Sequence, residues 1–236
     1  MAPETVAKVP GAKAFGLPEV VETPELLERR AAVAELGDGL RKLIDAVVRT
    51  EVPAEALRHA AEAVREITGP LTEDSRPVGR PPAVDNLVGG LRMLNPVIGA
   101  GNPLAPPLVV KTTRGTAVGE CTLGLAYEGP PTYGHGGISA LLLDQVLGHA
   151  ASSVDKPGVT TGLTLRYRRP VPLDVPIRVW AEVVDVDGRR TTVKGGITTA
   201  AEPEKQLVEA EGDFLQLRPD QAQRLFSQVP PAAAHD

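Results

Sequence analysis

An aspartate inside a strongly apolar segment is the first residue of this sequence with a clear chemical use. Asp144 lies within residues 138–153, whose leucine, isoleucine, valine and alanine residues cover nearly the whole circumference of a helix. A carboxylate in such a helix is costly unless it is hydrogen-bonded or reached by water, and aspartate is a poor residue for a helix interior. We therefore predict a general base that faces a cleft. The alternative is an exposed carboxylate on a narrow polar stripe beside Gln145 or His149.

A histidine among three glycines, Gly134-His135-Gly136-Gly137, directly precedes the predicted helix. The N–H groups at a helix start lack intrahelical acceptors, and the helix dipole favours negative charge there. Glycine leaves this backbone bare, so that a ligand can approach it closely. Such donors suit an oxyanion or a polarised carbonyl. The alternative is a turn that needs glycine only for its dihedral angles, and the combination with Asp144 favours the catalytic interpretation.

The separation of these two groups has a consequence for assembly. Gly137 and Asp144 are seven residues apart on one helix, which is about 10 Å at 1.5 Å per residue. One carbonyl carbon cannot lie within about 3 Å of both a donor at the helix start and a water held by the acid. If both groups serve one reaction, they come from different subunits. A two-fold dimer with antiparallel helices satisfies this condition and creates two equivalent sites.

Strand patterns surround the helix. Asp187-Gly188, between two of the strands, is a hairpin turn signal, because glycine accepts the positive φ of such turns. Two strands, one buried helix and four more strands with short connections predict an α+β fold in which an antiparallel sheet wraps around the helix. The predicted strands are Leu108–Thr113, Thr116–Tyr127, Val159–Arg168, Val175–Val186, Arg190–Ala200 and Gln206–Leu217.

Helical patterns precede the sheet. Thr23-Pro24-Glu25 is typical of a helix start, with a hydroxyl N-cap, proline at the first position and an acid near the positive end. A second helix is predicted from Pro53, with Gly69 as its end. The apolar faces of these helices should bury against the main domain or a second copy of the chain. The chain thus divides into a helical N-terminal extension and linker (1–82), a main domain (83–218) and a C-terminal tail (219–236).

The main domain carries, in order, Asn102-Pro103-Leu104-Ala105-Pro106-Pro107, Gly129-Pro130-Pro131, His135-Gly136-Gly137, Asp144 and Tyr167-Arg168-Arg169-Pro170. This ordered set resembles the phenylacetic-acid (PaaI-like) type of hotdog-fold acyl-CoA thioesterases. The resemblance covers about residues 95–217 and leaves the extension unexplained. It implies a hotdog fold and hydrolysis of acyl-CoA without a metal or a cofactor. It further implies that Asp144 acts as base or nucleophile and that His135 and Gly136 polarise the thioester carbonyl.

The same resemblance implies a hydroxyl residue that assists the acid. It corresponds to Thr160; Thr161 is its neighbour in the opposite strand phase, and a β-bulge, if present, would exchange the two. Ordinary strand propensity is the alternative explanation for either threonine. Period two also turns Leu163, Leu165 and Tyr167 towards the core.

Basic residues that hold the CoA phosphates are implied as well. Arginine suits phosphate through its forked donors, although an arginine on a solvent-exposed strand face is commonplace. The corresponding residues are Arg166, Arg168, Arg189 and Arg190.

Composition excludes several other classes. The net charge of −5 lacks the excess of lysine and arginine that a nucleic-acid-binding protein needs. No stretch reaches the about 18 uninterrupted apolar residues of a membrane span, and the first residues lack the apolar core of a signal peptide, which makes the cytoplasm the expected location. Cys121 is the only cysteine, so an intrachain disulfide or a cysteine-based zinc site is impossible.

Two other functions remain open from the sequence. An acyl-CoA hydratase of the same fold would use His135 and Asp144 as its acid and base. A non-catalytic acyl-CoA sensor would use the helical extension as its output, but a pure binder gains little from a costly acid beside the ligand. The expected partners are the acyl-CoA substrate and further copies of the chain, as a homodimer or a homotetramer.

Overall fold

The structure, a computed structural model, describes residues 20–87, 89–106 and 108–226. Residues 1–19 of the predicted extension, Pro107 of the proline-rich motif and residues 227–236 of the predicted tail lie outside this range. None of the described helices is long and apolar enough to cross a membrane. These helices are α1 (Pro24–Arg49), α2 (Ala54–Thr72), α3 (Gly136–Ser152) and α4 (Pro219–Phe226).

The described strands form one antiparallel sheet. They are β1 (Val109–Thr113), β2 (Thr116–Thr122), β3 (Val159–Tyr167), β4 (Pro176–Asp187), β5 (Arg190–Thr199) and β6 (Val208–Leu215). Their order across the sheet is β1-β2-β4-β5-β6-β3, so that β1 and β3 are the edge strands. α3 packs against this sheet. The architecture is therefore the predicted α+β hotdog fold with preceding helices.

α3 is the core helix that its sequence predicts. Leu142, Leu143 and Leu147 are fully buried, and the helix packs mainly against β4 and β5. Helix and sheet lie close because glycine stands between them: a Cβ on Gly195 would be 3.1 Å from a terminal carbon of Leu147. The helix begins at Gly136, two residues before the predicted start. The backbone N–H groups of both glycines after His135 therefore belong to its first turn.

β2 is shorter than predicted. The strand pattern extends to Tyr127, but pairing with β4 ends where Thr122 faces Pro176. β4 begins there, because Asp174 just before it has a φ of 55°, which is not an extended conformation. The chain then turns through a 3-10 helix at Leu125–Tyr127, which contacts α1. The Tyr127 carbonyl accepts the N–H of His135 at 2.8 Å. This turn therefore supports the loop that leads into α3.

α1 buries against the main domain, one of the two surfaces expected to cover it. The Thr23 hydroxyl caps its first turn, and Pro24 occupies the first position, as predicted. Gly37 lies so close to the following domain that a Cβ would be 2.6 Å from the Ala100 carbonyl oxygen. Arg41 donates to the same carbonyl at 2.9 Å. The extension is thus attached to the domain through its first helix.

α2 and α4 differ from the sequence prediction. α2 continues beyond Gly69, where the Thr72 hydroxyl donates to the Gly69 carbonyl at 2.7 Å and the Glu73 N–H to the Pro70 carbonyl at 3.4 Å. These bonds close the last turn although proline lacks a donor. Every residue of α2 is exposed. The first residues of the predicted tail, Pro219–Phe226, form α4.

Candidate active site

Asp144 is half-buried in the middle of α3 and is hydrogen-bonded. The Thr160 hydroxyl of β3 donates to Asp144 Oδ1 at 2.9 Å. His149, its possible neighbour on a polar stripe, instead has its Nδ1 3.4 Å from the Thr112 hydroxyl, and burial lowers the pKa of the imidazole. An oriented carboxylate with partial access to water suits a general base or a nucleophile.

A β-bulge decides between Thr160 and Thr161. β3 pairs regularly with β6 except between Thr160 and Gly162, where one extra residue shifts the register. The shift turns Thr160 to the side of the strand that faces α3, where its hydroxyl meets Asp144. The Thr161 hydroxyl donates to the Asp213 carbonyl at 3.1 Å. The threonine beside the acid is therefore Thr160.

The start of α3 presents a free donor. His135 is the N-cap, and its Nδ1 accepts the Gly137 N–H at 3.0 Å. The Gly136 N–H donates to no acceptor within the described ranges, as expected for the first position of a helix. Gly136 is eight residues from Asp144, which is about 12 Å along the helix. Within one chain, donor and acid thus lie too far apart to serve one carbonyl carbon.

An open cleft of about 340 Å³ adjoins this donor. Its volume falls in the range of about 300–1,000 Å³ that is usual for small-molecule sites. Aromatic rings and prolines of the neighbouring loops and of the end of β3 form its walls. The lining residues include Pro130, Tyr133, Gly136, Ser139, Tyr167 and Pro170.

Tyr167 borders this cleft, whereas the strand pattern predicts that its side chain packs in the core. Leu163 and Leu165 do pack against the core, as predicted. Tyr167 shares their side of β3 but lies beyond the edge of the core, where it is 56% exposed. Its hydroxyl donates to the Gly136 carbonyl at 2.9 Å. The Tyr167-Arg168-Arg169-Pro170 motif was the sequence signal that could have identified it.

The four arginines expected at the CoA phosphates are exposed and lie in two pairs. Arg166 and Arg168 stand at the end of β3 that reaches the start of α3. Arg190 faces the other end, because its partner on β6, Leu215, also pairs with the first residue of β3, and Arg189 precedes it in the turn. One chain therefore does not bring the four guanidinium groups together.

Two of these arginines already have acidic partners. Arg168 lies 2.9 Å from a Glu209 carboxylate oxygen, and Arg190 lies 2.6 Å from one of Asp213. The hydrogen bonds from these arginines lower the pKa of both carboxyl groups. Exposed ion pairs of this kind contribute little to stability, because water and salt screen the charges and two long side chains must be held in place. A phosphate group can therefore compete for the same guanidinium donors.

The only cysteine is a packed residue, as its strand neighbours predicted. Burial raises the pKa of the Cys121 thiol to about 12, so that the nucleophilic thiolate is scarce at neutral pH. Across the described residues, no group of three or more histidine, cysteine, aspartate or glutamate side chains is arranged to hold a metal ion.

Comparison with known proteins places these features in a family. The model of the thioesterase superfamily matches residues 133–204, which include the start of α3, Asp144 and Thr160. Two curated relatives are acyl-coenzyme A thioesterase THEM4 of Xenopus laevis, 33% identical over 63 residues, and of Mus musculus, 32% identical over 98 residues. The matches cover 27% and 41% of this chain and 28% and 41% of those proteins. The chain thus spans less than half the length of these relatives.

A crystal structure of a thioesterase superfamily protein is similar over a longer stretch. It is 38% identical with a TM-score of 0.68, and the match covers 78% of this chain and 94% of that protein. This share of the chain exceeds what residues 83–236 contain, so the likeness includes part of the predicted extension. On this similarity in sequence, fold and length, the chain belongs to the thioesterase superfamily.

Proposed function

We propose that this protein hydrolyses acyl-CoA thioesters to free acid and CoA, as a PaaI-like hotdog thioesterase. The observation that carries the proposal is the 2.9 Å hydrogen bond from Thr160 to Asp144, on a helix whose first residue, Gly136, has an N–H without an acceptor among the described residues. An oriented carboxylate and a backbone donor are the groups that acyl transfer requires. Both lie in the segment that matches the superfamily, and the two curated relatives are named acyl-coenzyme A thioesterases.

In the proposed reaction, the Gly136 N–H polarises the thioester carbonyl and holds the oxyanion that forms on attack. Asp144 either takes a proton from the attacking water or attacks the carbonyl carbon through its own oxygen. In the first route, the C–S bond breaks after hydroxide has added, and the leaving sulfur takes up the proton from Asp144. In the second route, CoA leaves as the thiolate, and water then cleaves the mixed anhydride. Both routes end with free acid, CoA and an ionised Asp144.

The proposed site is shared between two subunits. Gly136 and Asp144 lie about 12 Å apart along α3. If both serve one reaction, the donor of one copy must therefore meet the acid of another. The edge strand β3 supports this arrangement, because its outer side leaves backbone N–H and C=O groups unpaired within the described sheet. Two copies related by a two-fold axis, with antiparallel α3 helices, would create two equivalent sites.

This arrangement also explains why the four arginines lie in two separate pairs on one chain. In an antiparallel pair, the Gly136 end of one α3 lies beside the Asp144 end of the other. Arg166 and Arg168 of one subunit and Arg189 and Arg190 of its partner would then border the same site. All four guanidinium groups become available to one CoA molecule, which no single chain allows.

Free-thiol release from a panel of acyl-CoAs tests the proposed function. We expect the wild-type protein to release CoA at a rate proportional to enzyme concentration. An acyl-CoA sensor would bind the same compounds without releasing thiol. A hydratase would consume the double bond of an enoyl-CoA and leave the thioester intact, so either of these results would overturn the proposal.

Removing one hydroxyl tests the role of the threonine. We expect Thr160→Val to lower kcat about tenfold. The variant loses a hydrogen bond to a charged group, which contributes about 1.5–3 kcal/mol, and with it the fixed orientation of the Asp144 carboxylate. The matched control is Thr161→Val, which makes the same change one residue away and should stay within twofold of wild type. Thiol release under saturating acyl-CoA measures both. Equal rates for the two variants would contradict the assignment of Thr160.

Removing two arginines tests the CoA contacts. We expect Arg166→Ala with Arg168→Ala to raise KM for acyl-CoA about tenfold or more, and to leave KM for a short N-acetylcysteamine thioester within twofold. The reason is that phosphate contacts lie far from the reacting carbonyl and are absent from the short substrate. Arg58→Ala with Arg65→Ala on exposed α2 removes the same charge and should change neither KM. A parallel rise for both substrates would refute a role in CoA binding.

A further inference from the structure

The backbone around Gly136 is held on three sides. The His135 N–H donates to the Tyr127 carbonyl at 2.8 Å. The Gly136 carbonyl accepts the Tyr167 hydroxyl at 2.9 Å. The Gly137 N–H donates to His135 Nδ1 at 3.0 Å. Each of these groups has a partner, whereas the Gly136 N–H between them has none within the described part of the chain.

This pattern matters because two consecutive glycines are conformationally loose. Glycine populates more of φ/ψ space than any other residue, and a donor that stabilises an oxyanion must be aimed before the reaction begins. Tyr167 and His135 hold the two ends of one peptide unit, the Gly136–Gly137 peptide. The Gly136 N–H belongs to the preceding peptide, whose His135 carbonyl accepts the Ile138 N–H at 2.9 Å. With both flanking peptides held, the two rotatable bonds of Gly136 are fixed, and so is the direction of its N–H.

We propose that Tyr167 and His135 are positioning residues that together clamp the Gly136–Gly137 peptide and so aim the Gly136 N–H at the thioester carbonyl. The inference rests on the proposed function, in which that N–H is the oxyanion donor. Neither side chain exchanges a proton with the substrate. His135 acts through Nδ1 as a hydrogen-bond acceptor, and Tyr167 acts through its hydroxyl as a donor to the backbone.

The position of the Tyr167 ring fits this role. A Cβ built on Gly136 would lie 3.4 Å from three atoms of the tyrosine, including its hydroxyl oxygen. The ring therefore lies beside Gly136 with space for about one methyl group between them, and from there its hydroxyl reaches the Gly136 carbonyl. Because β3 also carries Thr160, the same strand positions the acid at one end and the donor at the other, which serve different sites of the proposed dimer.

Tyr167→Phe removes the hydroxyl and keeps the ring. We expect kcat for acyl-CoA to fall about tenfold while KM stays within twofold, because a misaimed donor weakens the transition state more than substrate binding. Thr161→Val is the control, since the hydroxyl that it removes also donates to a backbone carbonyl, that of Asp213 at 3.1 Å, away from the donor. It should keep the wild-type kcat. Wild-type kcat in Tyr167→Phe would overturn the proposed clamp.

Vibrational spectroscopy of a bound carbonyl distinguishes a misdirected Gly136 N–H from a general loss of activity. The probe is a CoA ketone in which CH₂ replaces the thioester sulfur and the carbonyl carbon is ¹³C. Bound to the wild-type protein, its carbonyl stretch should lie below the value for the free compound, and in Tyr167→Phe it should move back towards that value. This measurement requires binding without turnover. It therefore still tests the clamp if the wild type releases no thiol, a result that would overturn only the proposed function. An unchanged stretch in Tyr167→Phe would overturn the clamp.

Two substitutions of His135 test the other half of the clamp. Asparagine is among the best N-cap residues, because its side-chain oxygen accepts a first-turn N–H, whereas alanine cannot. We expect His135→Asn to retain at least a third of wild-type kcat and His135→Ala to lose about tenfold or more. Equal, large losses in both folded variants would identify the imidazole as a proton-transfer group and overturn its role as a cap. These variants also decide the question if Tyr167→Phe fails to fold.

Discussion

Asp144→Asn is expected to lower kcat by about 10²–10⁴ and to leave the fold intact. The size follows from the loss of a general base or nucleophile, since the amide can neither take a proton from water nor attack the carbonyl. The fold should survive because asparagine is isosteric and its carbonyl oxygen can still accept the Thr160 hydroxyl. The buried leucines of α3 are unaffected. Thiol release under saturating acyl-CoA and a thermal unfolding curve measure the two effects.

The control for this variant is Asp155→Asn. Asp155 follows the end of α3, is exposed and pairs with Arg114 at 3.4 Å, so the same chemical change there should leave kcat unaltered. Thiol release at the wild-type rate by Asp144→Asn would remove the acid from the mechanism. A fall in thermal stability as large as the fall in activity would instead indicate that Asp144 is a structural residue of the helix.

The fold was largely predictable because its strongest signals are local. The apolar circumference of α3 could only be buried, and period two marked each of the strands. Thr23-Pro24 fixed the start of α1 within the sequence itself, because a cap depends on residues of the first turn. In all these cases the residues that form the pattern lie in one short stretch of chain.

The errors occur where a distant segment decides the outcome. β2 ends at Thr122 because β4, far along the chain, begins at the facing residue. The bulge in β3 depends on its register with β6, which period two within β3 cannot reveal. Strand phase predicts the correct side of β3 for Tyr167. It does not predict that this residue lies beyond the edge of the core, because that depends on where α3 begins. Local sequence does not contain these relations.

The ion pairs at the surface also depend on distant segments and could not be predicted from local sequence. The resemblance implies that Arg168 and Arg190 contact the CoA phosphates. That Glu209 and Asp213 stand on the neighbouring strand, within ion-pair distance, follows only from the β3–β6 and β5–β6 registers. The separation of the four arginines into two pairs follows from the same registers. It is this separation that adds an independent reason for a site between subunits.

Gly136→Pro should reduce kcat by about 10²–10³, the usual effect of deleting one oxyanion donor. Gly136 is the first helical residue, a position where proline is readily accepted. The preceding residue, His135, already has the extended backbone that proline requires, with φ −63° and ψ 136°. Proline therefore removes the N–H with little strain. Gly136→Ala keeps the N–H, places its Cβ in ordinary contact with Tyr167, and serves as the control, which should retain most of the activity.

Mixing this variant with Asp144→Ala should restore activity if the site is shared. Each parent homodimer has two damaged sites. When the two proteins are unfolded together and refolded, a mixed dimer has one site with both lesions and one site with neither. Random pairing makes about half of the dimers mixed, so about a quarter of all sites should be intact. We therefore expect thiol release to rise from the low parental level towards a quarter of the wild-type rate.

The matched control mixes Asp144→Ala with Asp144→Asn. Both lesions then lie in the same half of the site, so that every site in every dimer lacks the acid and no activity should return. Subunit exchange is verified by giving one parent a removable affinity tag and recovering the untagged chain with it. If exchange is demonstrated, both parents are folded, and the Asp144→Ala and Gly136→Pro mixture remains as inactive as its parents, then donor and acid do not come from different subunits. The about 12 Å between them would in that case mean that only one of the two takes part in the reaction.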